Sequence, residues 1–119
     1  MFIFLDDYRE PSDVTWVKLP ETYHWVVVRN YEQFVLLIDN LMTPPAFIAF
    51  DHDLADAHYE GDFSNPNEKT GMDCAKALVD ICLDHGWQIP PFIVHSLNPV
   101  GRKNIEMYLE NAKKHATTS

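Results

Sequence analysis

Three short stretches of this chain hold most of the residues able to do acid–base or metal chemistry. Asp6-Asp7 follows Phe2-Ile3-Phe4-Leu5. Asp51-His52-Asp53 follows Phe47-Ile48-Ala49-Phe50. His95-Ser96-Leu97-Asn98 follows Pro91-Phe92-Ile93-Val94. Adjacent carboxylates at the end of a buried strand repel each other unless a cation or base lies near. Asp6, Asp7, Asp51 and Asp53 are therefore candidate ligands for a hard divalent cation, Mg²⁺ or Mn²⁺, which takes carboxylate oxygens. In an extended segment Asp51 and Asp53 share a face and His52 points the other way. The imidazole side chain as a residue type can both take and give a proton at neutral pH, so His52 and His95 are candidates for a general base and acid pair. Ser96 can donate to a phosphate oxygen, but it lacks the partners of an activated nucleophile.

Two arginines are candidate anion clamps. Arg102 lies in the first turn of a helix opened by Asn98-Pro99, where free N–H groups and a partial positive charge favour anions. Arg9 lies just past the aspartate pair. The plainer alternatives are caps and turns for the aspartates, backbone-bonded imidazoles for the histidines, and simple capping by Asn98 with Arg102 in solvent. His58, Glu60 and Asp62 form a looser polar set whose irregular spacing points to solvated side chains.

Positioning these residues takes a small set of elements. Continuous apolar runs read as buried parallel strands, here at 2–6, 24–28, 46–50 and 91–95. Asn30, with Gln33 three residues on, predicts a capped helix carrying Phe34, Leu37, Ile38 and Leu41 on one stripe, stopped by Thr43-Pro44-Pro45. Thr70 and Asp73 predict a second helix, with Ala75, Leu78, Val79 and Cys82 inward and Gly86 past its end. Asn98-Pro99 opens the third, with Ile105, Tyr108, Leu109 and Ala112 facing the core. Residues 8–22, with Pro11 and Pro20 and no helical period, predict an irregular connection tethered by Trp16, Val17 and Leu19. Residues 55–69 predict a long polar loop of the kind that serves as a lid or binding loop. Strands alternating with helices argue for a three-layer α/β fold on a parallel sheet of about four strands with reduced helices. Open sheets of this kind carry their sites just past the strand carboxyl ends, where all three polar clusters fall.

The 119 residues suffice for one domain over residues 1–115 with a flexible tail at 116–119. The formal net charge of −9 and the lack of a Lys/Arg stripe argue against an extended nucleic-acid interface. A small anionic ligand remains compatible if a cation or local arginine offsets the field. Cys74 and Cys82 lie about 12 Å apart along one predicted helix, too far for a disulfide. This fits a reducing, cytoplasmic setting. No signal-peptide pattern or apolar run of membrane-spanning length is seen.

Taken together, Leu5-Asp6-Asp7-x-Arg9-x-Pro11, Phe50-Asp51-His52-Asp53-Leu54, Thr70-Gly71-Met72-Asp73 and His95-Ser96-x-Asn98-Pro99-x-Gly101 resemble the cyclic-phosphate-processing receiver-like domain family. The resemblance runs from residue 3 to about residue 110. It implies a flavodoxin-like receiver fold with Asp6 and Asp7 as the acid pair, Asp51 at the phospho-acceptor position and Ser96 as the following hydroxyl. The chain departs from ordinary receivers in three ways. No clear helix separates its first two strands, no fifth strand with the receiver lysine can be placed, and His52 and His95 are added. The family resemblance implies action on cyclic phosphates of nucleotides or RNA ends, in phages or bacterial conflict systems. The expected activity is metal-assisted hydrolysis of a cyclic phosphodiester, with a cyclic nucleotide as ligand. The rivals are a non-catalytic module that sequesters a cyclic nucleotide or binds a protein, and phospho-acceptor signalling through Asp51.

Overall fold

The computed structural model describes residues 1–22, 24–54 and 69–118, with the side chains of 116–118 left aside. Tyr23 and the segment 55–68, which holds His58, Glu60, Asp62 and most of the expected long loop, lie outside the described residues. Four strands form one sheet: β1 (Phe2–Leu5), β2 (Trp25–Val28), β3 (Phe47–Phe50) and β4 (Phe92–Val94). All three pairings are parallel, in the order β2-β1-β3-β4. The α-helices are α1 (Tyr31–Asp39), α2 (Gly71–His85) and α3 (Pro99–Thr118). This is a receiver-like α/β fold, as the sequence implies.

Strand alternation splits the sheet into two unlike faces. Ile3, Leu5, Val28, Ile48, Phe50 and Val94 point to one side and pack with Phe34 and Ile38 of α1, Leu78 and Cys82 of α2, and Ile105 and Leu109 of α3. Phe4 and Ala49 point to the other side, where Val14, Val17 and Leu19 of the irregular connection cover them. The three α-helices of the described residues therefore lie on one face. The third layer is a loop with a single 3-10 turn at Pro11–Asp13. The two cysteines are buried free thiols.

Local signals set the element ends. Asn30 Oδ1 accepts from the Gln33 amide at 2.8 Å and caps α1. Gln33 reaches back one residue further than a capping box requires, to the Arg29 amide at 2.7 Å. Thr70 and Asp73 form a reciprocal capping box on α2, and Gly86 ends that helix with a left-handed φ of 72°. Helix α3 runs to Thr118, beyond the end expected near residue 115. No Gly or Pro follows Ala112 to stop it.

Gly71 is where fold and site meet. Its amide donates to the His52 carbonyl at 2.7 Å. A Cβ built there would collide with the Asp51 carbonyl oxygen. The start of α2 is thus seated directly on the backbone of the Asp51-His52-Asp53 turn, which only glycine permits. Gly71→Ala is expected to lower stability by about 2 kcal/mol or more, as overpacking of a rigid contact does. Urea denaturation measures this. A variant as stable as the parent would show that α2 can withdraw from the turn.

Candidate active site

Parallel pairing brings the three polar clusters to one end of the sheet. The β1/β3 pair forms its middle, where connections diverge to β2 on one side and β4 on the other, so a crevice opens past their carboxyl ends. A cavity of about 570 Å³ sits there. Its lining includes Asp7, Arg9, Asp51, Asp53, Ser96 and Asn98, with Tyr8, Leu97 and Pro99 at its apolar parts.

Asp6 lies beneath this crevice and is completely buried. Its Oδ1 accepts from the Tyr8 and Arg9 amides at 3.0 and 2.8 Å. Its Oδ2 meets His95 Nε2 at 3.0 Å and Arg9 Nη1 at 3.5 Å. Burial alone would raise the Asp6 pKa. The His95 hydrogen bond and the two amides outweigh that and hold it at about 2. A carboxylate so strongly ionised only accepts, so His95 carries its proton on Nε2. The imidazole is also fully buried and stacks flat on Phe4, with centroids 4.6 Å apart and 6° between planes. Its Nδ1 has no hydrogen-bond partner.

Asp51 has the opposite electrostatics. Burial, then the charge of Asp6, push its pKa up to about 7, against the opposing hydrogen bond from the His52 amide. Asp6, Asp51 and His95 each place a potential ligand atom within 4.8 Å of the others. This buried group could hold a metal ion. The sequence-based ligand set was Asp6, Asp7, Asp51 and Asp53. The compact group instead joins His95 to Asp6 and Asp51, while Asp7 and Asp53 line the crevice next to it.

The expected histidine pair is not assembled as a pair. His95 is sealed under the crevice on Asp6. His52 Nδ1 meets Asp53 Oδ1 at 2.9 Å, and the ring packs where a Cβ on Gly101 would fall. Gly101 thus accommodates the His52 ring as Gly71 accommodates the turn backbone. Asn98 caps α3 through Gly101 N at 3.0 Å and points Nδ2 toward Asp53 at 3.5 Å. Ser96, nearly buried, accepts from the Asn98 amide at 3.1 Å. Arg102 turns along its own helix to Glu106, with Nε 3.4 Å from Oε2, and is absent from the crevice lining. The helix start offers fewer amides than expected, since Pro99 has no N–H and Asn98 takes that of Gly101. Arg9, in contrast, lies in the crevice.

The sequence does not single out Arg29, and it marks Trp16 only as a tether of the 8–22 connection. Arg29 donates to the Asp6 and Arg9 carbonyls at 3.2 and 2.6 Å and pairs with Glu10, clamping the 6–10 turn. Pairing of Leu5 with Val28 sets Arg29 beside Asp6, a register that strand order alone does not reveal. Trp16 donates its indole N–H to the His95 carbonyl at 2.7 Å. The only hint in the sequence is that an indole in a tethered loop wants an acceptor.

The two aspartates set opposite pH slopes. In the unfolded chain both titrate near 3.8. Folded Asp6 adds stability above that value and loses it as pH falls toward 2. Folded Asp51 keeps a proton that the unfolded chain releases, so its contribution falls as pH rises from about 4 to 7. Asp51→Asn should therefore match the parent near pH 4 and exceed it at pH 8, by at most about 4 kcal/mol. Chemical denaturation at the two pH values in chelator tests this. An equal gain at both, or none at pH 8, would contradict the assignment.

Residues 1–111 match the family model described as the cyclic-phosphate processing Receiver domain. No curated protein and no solved structure matches the chain.

Proposed function

The chain belongs to the cyclic-phosphate processing Receiver domain family, and from that premise we propose that it hydrolyses a small cyclic phosphodiester with a divalent cation. The observation that carries this reading is the buried Asp6–Asp51–His95 group at the floor of a crevice. Burial beside the charges of Asp6 and Asp7 leaves Asp51 short of compensating charge, as its raised pKa reflects. A pair of carboxylates suits Mg²⁺ or Mn²⁺, hard cations that take oxygen ligands. Asp6 and Asp51 would hold the ion, with Asp7 and Asp53 beside them and His95 orienting Asp6 from below. When bound, such an ion would supply neutralisation of phosphate charge.

The remaining roles fall to the chain's own side chains. Arg9, Asn98 and Ser96 line the crevice and orient the phosphate oxygens. Arg102, paired with Glu106, takes no part in this arrangement. His52 does not itself line the crevice, but its Nδ1 lies 2.9 Å from Asp53, which does. About 20% of its side chain is exposed, so of the two imidazoles it is the one that solvent reaches. A water attacks phosphorus and gives its proton to His52. One ring P–O bond breaks, and the departing oxygen takes a proton from solvent. The product is a phosphomonoester with a free hydroxyl. His95 acts through Asp6, keeping it ionised and oriented.

A second reading has one observation in its favour. The burial of His95 removes one of the two proton-transfer groups, which suits a module that binds a cyclic phosphate without cleaving it. A panel of cyclic mono-, di- and trinucleotides and 2′,3′-cyclic RNA ends, with and without Mg²⁺ or Mn²⁺, separates the two. Hydrolysis is expected only with metal. It should fall about 100-fold or more in His52→Gln, as loss of a proton-transfer group does, and be lost in Asp51→Asn. Binding without turnover would establish the binding module. A lasting phosphate adduct on Asp51, seen by intact mass after a small phosphodonor, would favour signalling. Neither binding nor turnover across the panel would overturn the proposal.

No helix among the described residues is long and apolar enough to cross a membrane.

A further inference from the structure

Beside the carboxylates the crevice carries a feature that phosphate chemistry leaves unused. Tyr8 lines the cavity yet is 59% exposed, and Leu97, also in the lining, is 60% exposed. Large apolar groups at the mouth of a polar, acid-rich cleft call for a ligand with an apolar face. The Tyr8 ring is also held in place on one face. The Arg9 guanidinium carbon lies 4.5 Å from its centroid and 5.2 Å from that of Trp16. Trp16 is fixed by its indole bond to the His95 carbonyl, and Arg9 by its ion pair with Asp6. The Tyr8 amide donates to Asp6 Oδ1, which ties the position of this residue to the buried carboxylate.

We propose that Tyr8 is a stacking platform for a nucleobase, so that the ligand of this crevice is a cyclic nucleotide with its phosphate over the carboxylates and its base on the Tyr8 ring. This deepens the cyclic-phosphate reading and rests on it. Base–aromatic stacking is tolerant of sequence, because every base has a π-face. The cation–π contacts of Arg9 with Tyr8 and Trp16 occupy one face of the Tyr8 ring and leave the other for a base. A cavity of about 570 Å³ accommodates a small ligand rather than a strand. The net charge of −9 likewise disfavours a polymer that must be neutralised along its backbone.

Calorimetric titration with Mg²⁺ present tests the platform, using 2′,3′-cyclic AMP and the base-free probe 1-O-methylribose 2,3-cyclic phosphate. The Asp51→Asn background is avoided, and any turnover is followed in parallel. The base-bearing ligand is expected to bind parent protein about tenfold or more tightly than the probe. Tyr8→Ala should remove that advantage without changing probe affinity, and Tyr8→Trp should preserve it. Equal affinity of the two ligands for the parent would overturn the platform and leave the cyclic-phosphate reading intact. So would an equal weakening of both in Tyr8→Ala. Failure of both ligands to bind the parent would overturn the two together.

Discussion

The hydrogen bond between His95 and Asp6 joins the two most distant parts of the site. It is formed between fully buried groups that are 89 positions apart. Burying a carboxylate without partners costs several kcal/mol, so each ligand of Asp6 is a structural requirement. Its oxygens engage the Tyr8 and Arg9 amides, the Arg9 guanidinium and the imidazole. These contacts fold the turn after β1, attach it to the end of β4 across β3, and fix the charge that Asp51 feels. Phe4 stacks on the imidazole, and the Trp16 indole N–H holds the backbone carbonyl of the same residue. The irregular loop on the second face of the sheet is therefore connected to the chemistry, because Trp16 belongs to that loop.

This loop explains how a sheet with all its helices on one side stays covered. Ordinary three-layer packing puts helices on both faces of a parallel sheet. Here the β1–β2 connection supplies Val14, Val17 and Leu19 over Phe4 and Ala49. It also leaves Trp25, Val27 and Phe47 only partly buried, with Trp25 meeting Phe2, Phe4 and Phe47 edge-on. Losing a helix there removes a layer of packing. It also frees the turn after β1 to be shaped by Asp6, Arg29 and Arg9 rather than by a helix start.

Much of this was legible in the sequence because it is encoded locally. An apolar run that ends in a carboxylate identifies both a buried strand and the position of the site at its carboxyl end. Each observed strand lies within its expected range. Asn30, Thr70, Gly86 and Asn98 mark helix ends through contacts that span only a few residues. The unread parts are long-range. Nothing near His95 in sequence says that it faces Asp6 and not solvent, nor does anything near Arg102 favour Glu106 over the crevice. Gly71 and Gly101 could be quoted as motif residues, but their meaning needs the Asp51 carbonyl and His52 ring that occupy their missing side chains.

The divided titration of the two buried aspartates follows from the same geometry. Asp6 and Asp51 sit side by side on the central strands, β1 and β3, and both are shielded from water. Most of the compensating partners go to Asp6: two backbone amides, an arginine and an imidazole. Asp51 receives one amide and the repulsion of its neighbour. Environments that push neighbouring acids in opposite directions are a recurrent property of sites that bind charge or move protons. A fold selected for packing alone would gain by replacing Asp51 with an uncharged residue. Keeping a carboxylate here is instead consistent with a partner of opposite charge that restores its ionised form, and with the crevice above it as the place where an anionic ligand would meet that charge.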